Sequence, residues 1–202
     1  MSCKVISGLT EQTPQKLLLD AGAFFKNFNV VSTDEVEADT FESAVTAGKL
    51  LGATKGGGSF SSVPTFREIE IDGARGRVKE LKQIESIETK ISANIIEVSA
   101  ESLRTALAAS VVDDTDTKYT KISGKFCISP DDYIGNITWV GTLSGSQEPV
   151  IIQVFNALSE SGLELSFEDK GESVVALELF AHQSLANLDE TPWTIWYPKV
   201  SG

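Results

Sequence analysis

Hydrophobic and polar positions alternate along much of the chain, and that alternation sets the expected elements. It is clearest from Ile84 onward. Ile87, Thr89, Ile91, Ala93 and Ile95 fall on one side, and Ser86, Glu88, Lys90, Ser92 and Asn94 on the other. A period of two belongs to a strand with one buried and one wet face. The same period starts at Phe66 and runs to Ile71, where Asp72 and Gly73 in IDGARG supply a turn. Residues 134–143, 150–157, 163–168 and 173–180 read as four more strands, with turns beginning at 144–146 and at 159–162 and 169–172. Short turns at this rhythm predict an antiparallel meander, hence a sandwich or barrel. Residues 16–31, KLLLDAGAFFKNFNVV, read as one or two strands kinked at Gly22.

Helical spacing appears twice. In TFESAVTAGKLL, Phe41, Ala44, Val45 and Leu51 recur near the helical period, with Asp39 or Thr40 as cap, Glu42 in the first turn and Gly52 to end it. Ser99 caps a second short helix, with Glu101 near its positive end and Leu103, Ala106 and Leu107 as its apolar side. A helix this short must lie on the sheet to persist. Residues 111–117 read as a loop.

The segment 32–62 is harder to place. It opens on Asp34, Glu35, Glu37, Asp39 and Glu42 with no base among them, and it closes on Gly56, Gly57 and Gly58. It is too long for a hairpin turn. It is expected as an extended loop carrying a short helix, with the glycines as a flexible hinge. Residues 1–14 and 184–202 read as arms, the second holding PWTIWYP with Trp193, Trp196 and Tyr197. The expected fold class is mainly β: two packed antiparallel sheets, as a sandwich or barrel, flanked by a short helix, in one domain over 15–183.

Composition narrows the partners. A chain of 202 residues is long enough for one large all-β domain with a real core. Against 29 Asp and Glu stand 17 Lys and Arg, a net charge of -12. That disfavours a non-specific nucleic-acid binder, which needs a basic surface, and docking on an anionic membrane. It suits plain solubility, or a wall past which phosphates slide without sticking. Cys3 falls in the first arm and Cys127 in an expected strand, so no disulfide framework is present and a reducing compartment fits. Residues 1–15 lack an apolar leader core, and no apolar run approaches the ~20 residues that span a bilayer, so synthesis in the cytoplasm is expected.

The search for catalytic chemistry yields little. A Ser-His-Asp or Cys-His arrangement would have to use the single histidine, His182, which sits at the end of an expected strand and reads as an edge residue. One His and two distant Cys do not make a zinc site. In GATKGGG the helix precedes the glycines and a strand follows, the reverse of a phosphate-binding loop. Gly73-Ala74-Arg75-Gly76 matches the GXXG clamp but joins strands rather than helices, so it reads as a turn. Asp113-Asp114 and Asp131-Asp132 follow no calcium-loop spacing and read as solvated turn residues. Asn136-Ile137-Thr138 falls inside a strand and is set aside as a glycosylation acceptor. No enzyme activity, cofactor or metal is expected.

What calls for explanation is the long glycine-bearing segment and the aromatic tail. Trp and Tyr are favoured interface anchors. Sheet edges must be covered or paired, and pairing with copies of oneself closes a ring. The candidate interface residues are therefore Asp34, Glu35, Glu37, Gly56, Gly57, Gly58, Trp193, Trp196 and Tyr197.

Five segments carry a resemblance: LLLDAGAFFKNF (17–28), AGKLLGATKGGGSF (47–60), IEIDG (69–73), NITWVGTLSGSQEPVIIQVFNALSESGLELSFEDK (136–170) and PWTIWYPK (192–199). In this order, over nearly the whole chain, they resemble the tail tube proteins, or major tail proteins, of long-tailed phages and prophages of Gram-positive bacteria. The resemblance implies two packed antiparallel sheets with a flanking helix at 99–109, and subunits joined into typically hexameric rings that stack into a hollow tube. It makes 32–62 the stacking loop and 1–14 and 184–202 the linking arms. It implies an acidic lumen through which DNA passes without specific binding, with Glu88, Glu164 and Glu178 as lumen-facing candidates. It also implies tape-measure, tail-tip and terminator proteins as partners, and a place in the virion tail. Lys90 shares the face of Glu88. Two other readings stand beside it: a carbohydrate-binding sandwich presenting Trp193 and Trp196, and a glycosidase using two of the carboxylates.

Overall fold

In the computed structural model the described residues are 8–32, 36–165, 167, 169 and 171–199. Cys3, Asp34 and Glu35 lie outside them. The chain runs β1 (Leu18–Lys26), β2 (Val30–Ser32), β3 (Val36–Ala38), α1 (Phe41–Thr46), β4 (Thr54–Glu68), β5 (Lys82–Ile95), α2 (Ala100–Ala106), β6 (Ser110–Asp113), β7 (Lys121–Gly124), β8 (Ile134–Leu143), β9 (Val150–Ser159), β10 (Val175–Phe180) and β11 (Trp193–Trp196). Every strand pairing is antiparallel. One large curled sheet has the order β1-β8-β9-β10-β5-β4, with β11 added on β9, and β2-β3 and β6-β7 form two small sheets.

The curl turns on β9. Its residues 150–157 pair with β8 on one edge. The other edge is shared: Ile151 to Val154 take β11, and Leu158 and Ser159 take β10. Between the two sits Asn156 at φ 48, a left-handed conformation that an amide side chain tolerates better than most. Its Nδ2 donates to the His182 carbonyl at 3.0 Å, and His182 Nδ1 meets the Asn156 carbonyl at 3.1 Å. The His182 ring also stacks edge-on against Tyr133. His182 thus lies two residues beyond β10, half-buried, and pins the corner at which one half-sheet folds over the other.

The half-sheet β1-β8-β9-β11 is covered on both faces. On its inner face Phe24, Ile137, Val154 and Trp193 pack with Ile91, Ile95, Leu177, Leu179 and Phe60 from the other half. On its outer face Phe25, Val140, Ile151 and Trp196 pack with Phe28, Ala44, Val30 and Leu50. Burial from both sides explains why β9, VIIQVFNALS, shows no alternation.

Several expectations hold in detail. β8 has the expected bounds, and β1 carries an irregularity between Leu19 and Ala23, around Gly22. Gly22 takes φ 66, and a Cβ there would stand 2.4 Å from Trp139 Nε1, which donates to the Ala21 carbonyl instead. α2 begins at Ser99 with a reciprocal Ser99/Ser102 cap. Its buried positions are Ser102, Thr105 and Ala106, with Leu103 half-buried against the core; Ser159 Oγ satisfies the Ala106 carbonyl at 2.8 Å.

Others are corrected. α1 is six residues long and ends at Thr46, because the chain turns back at Gly48 (φ 67); residues 49–51 then run along the edge of β1, with Leu51 N on the Phe24 carbonyl and Lys26 N on the Lys49 carbonyl, both near 2.9 Å. The 32–62 segment is not one extended loop. Its first part folds over the outer face of β1-β8-β9, and from Thr54 it is strand. Residues 111–113, expected as the start of a loop, belong to β6. Residues 163–165 belong to no strand, so Glu164 is an exposed residue of a connection. Cys127 sits in a bend, exposed. The C-terminal segment is no free arm, since β11 completes the edge of β9.

Candidate functional site

Of the glycines expected as a hinge, Gly58 is held by close approach, and Gly56 and Gly57 lie in a bulge within β4. Gly56 (φ 80) and Gly57 (φ 70) open a bulge where the β4–β5 register shifts between Thr54 and Gly58. A Cβ on Gly58 would lie 2.1 Å from the Ser92 carbonyl oxygen and 2.5 Å from Phe24 Cζ. Gly58 lets β4 cross close over β1, and all three glycines lie within a strand rather than in a loop. The bulge also lines a shallow groove of about 470 Å³ beside Leu18, Asp20, Trp139 and Phe60.

The two indoles of the tail point to opposite faces of their strand. Trp193 enters the inner core and stacks edge-on with Phe60 at 5.6 Å between centroids. Its Nε1 is buried and has no hydrogen-bond partner among the described residues. Trp196 lies on the outer face and donates to Gln153 Oε1 at 3.1 Å. The Gln153 amide, 3 % exposed, also donates to the Phe28 carbonyl at 3.0 Å and reaches Thr138 Oγ1 at 3.3 Å. Asn136 Oδ1 and Nδ2 hold the Phe28 backbone from the other side. One buried amide therefore ties β11, β9 and the segment after β1 together, and the two indoles make no open aromatic platform. Gln153, Asn136 and Asn156 had no signal in the pattern, because an amide in a strand reads as a solvated position until its partners are placed.

A large groove opens on the outer face where α1 and its flanks stop covering the sheet. It measures about 1620 Å³. Its floor is apolar, from Ala23, Phe25, Val140, Ile151 and Trp196, and Phe41, half-exposed, stands on its wall. Five carboxylates rim it, Asp20, Glu37, Asp39, Glu97 and Glu148, against Lys199, so 5 minus 1 leaves a net charge of -4 along the lining. Asp39 is held below the usual carboxylate range: burial pushes it up, but the Asn29 amide and the Lys49 ammonium outweigh that. Tyr197, exposed, lies at the same mouth. The structure thus brings Glu37, Trp196 and Tyr197 together, places Gly56, Gly57 and Gly58 in the neighbouring groove, and sends Trp193 inward.

The lumen candidates divide as well. Glu88 and Glu178 lie on the outward face of β5 and β10, where Lys90 pairs with Glu178 and its pKa is raised, chiefly by that hydrogen bond. Glu164 is apart from them, off the sheet.

The most exposed feature is one the pattern did not single out. β10 reaches only to Lys90, and the Ala181 amide bonds the Thr89 carbonyl. Beyond that, β4 and β5 continue alone as a two-stranded ribbon, from Val63 opposite Glu88 to Glu68 opposite Lys82. At ~3.3 Å per residue this adds roughly 20 Å before the connecting loop. The core-facing side of the sheet runs on along it, so Pro64, Phe66, Ile84 and Ile87 continue the line of Phe60 and Ile91 into solvent. Phe66 is 46 % exposed and Ile84 59 %. Lys82 Nζ lies 4.1 Å over the Phe66 ring. Ile69, Ile71 and Val78 are exposed in the loop, which carries Arg75, Arg77 and Lys79. The signal was present as alternation in both strands; what sequence lacked was the point at which the third strand stops.

Among the described residues no group of three or more His, Cys, Asp and Glu is placed to hold a metal ion, and no helix is long and apolar enough to cross a membrane. Lys125 and the Ser129 amide hold the Asp132 carboxylate, which lowers its pKa to about 2. No protein-family model matches the chain, and no curated protein matches it.

Proposed function

We propose that this chain is the structural subunit of a phage-type tail tube, acting by self-assembly and without catalysis. Copies join into rings, hexameric in the resemblance, and the rings stack into a hollow conduit for DNA in the virion tail. Synthesis and assembly take place in the host cytoplasm, and tape-measure, tail-tip and terminator proteins complete the structure. One observation carries the reading beyond the resemblance: the β4–β5 ribbon leaves the body with its apolar side uncovered. A lone two-stranded ribbon is marginal in water, and a contiguous apolar surface on a soluble chain marks an interaction site. The acidic total charge suits a wall past which a polyanion moves.

Negative-stain electron microscopy of the purified protein at rising concentration tests it. Rings or hollow tubes are expected. A persistent monomer that binds glycans in an array would overturn the reading in favour of a carbohydrate-binding sandwich.

A further inference from the structure

The geometry points to a specific head-to-tail contact: the β4–β5 ribbon of one copy docks in the acidic groove on the outer face of a second copy. This rests on the self-assembling reading above and names its two surfaces.

Three properties match ribbon to groove. The first is apolar area. Phe66, Ile84 and Ile87 on the ribbon are exposed, with only Lys82 Nζ over the Phe66 ring, and the groove presents exposed Phe41 and Tyr197 above half-buried Ala23, Val140 and Trp196. The second is charge. The ribbon's loop gathers Arg75, Arg77 and Lys79 at its tip over residues 73–79, with Glu70, Asp72 and Glu80 flanking them, while the groove lining carries -4, of which Asp39 is already paired with Lys49. Glu68 takes one of these cations, Arg77, at 3.2 Å, and Glu80 follows Lys79, which leaves Arg75 and Lys79 without an ion pair among the described residues. The third is size. About 1620 Å³ exceeds the roughly 300–1,000 Å³ of a small-molecule pocket, room enough for a polypeptide segment. The two surfaces are different patches of one chain, so the contact is heterologous and repeats from copy to copy, closing a ring where the rotation allows.

The test combines charge reversal with photo-cross-linking. Arg75→Glu with Arg77→Glu makes one variant, and Glu37→Lys with Glu148→Lys the other; all four side chains are exposed, so both variants keep the fold. Each alone should need at least about tenfold more protein to assemble, because like charges then face one another. A one-to-one mixture should assemble at the wild-type concentration with the two proteins alternating. A benzophenone side chain at Phe66, in a mixture of light and heavy isotope-labelled copies, should cross-link between copies to residues 20–23, 37–41 or 196–199. Assemblies that form normally from both variants, or cross-links from Phe66 to another face, overturn this contact, leave self-assembly standing and free the groove for a different partner. Wild-type protein that neither assembles at any concentration nor cross-links overturns the contact and the tube reading together.

Discussion

At Gly58 the Ser92 carbonyl and the Phe24 ring leave no room for a methyl group. Gly58→Ala should therefore cost about 3 kcal/mol, seen as a lower urea midpoint with an unchanged slope. Retention of the wild-type midpoint would show that β4 can slide away from β1. Asp132 provides a second residue-scale case. Its pKa is about 2 in the fold against 3.8 for the free side chain, because Lys125 and the Ser129 amide favour the carboxylate. The folded state binds fewer protons than the unfolded state in that window. Its contribution is complete above 3.8 and disappears as the pH falls towards 2. Asp132→Asn should lower stability at neutral pH and flatten the acid limb between those values. Superimposable pH–stability curves would contradict the assignment.

β11 is the element whose role changed most between sequence and structure. As an arm it could be removed at no cost to the fold. As the strand that pairs with Ile151 to Val154 and fills both clusters with Trp193 and Trp196, it cannot. A chain ending before Trp193 should lose at least about 3 kcal/mol, the cost of emptying one buried indole site, and become prone to edge pairing. Thermal unfolding measures this, and an unaltered transition would restore the arm reading. Gln153→Leu probes the same element more gently. It strands the Trp196 Nε1 and removes a partner of the Phe28 carbonyl, so about 1–3 kcal/mol should be lost, with faster amide exchange confined to β11 and residues 27–29.

Seen whole, the molecule divides into a body covered on both sides of one half-sheet and a ribbon covered on neither. Amides in the outer parts of β4 and β5, residues 63–68 and 82–88, should exchange fast in the monomer and slowly in the assembly, while β8 and β9 stay protected in both. Equal protection of the ribbon in the two states would remove it from any interface. Increasing salt should weaken assembly, since the matched charges lie at exposed rims where screening is effective.

The sequence alone determined what depends on neighbours along the chain. Alternation in 84–97, the kink at Gly22, the Ser99 cap and the bounds of β8 follow from side-chain period, a tight backbone turn and local hydrogen bonds, which need no distant partner. It missed whatever depends on which segments meet. Gly56, Gly57 and Gly58 are the turn chemistry of a loop in sequence and a crossing point in space. Trp193 and Trp196 are an aromatic tail in sequence and a core strand in space, because β9 had a free edge to fill. β9 itself, continuous in apolar residues, becomes intelligible only when covers appear on both faces. The ribbon shows the division most plainly. Its strands are written in the period-two pattern, but their exposure exists because β10 ends opposite Lys90, and no local signal records where a neighbouring strand will stop.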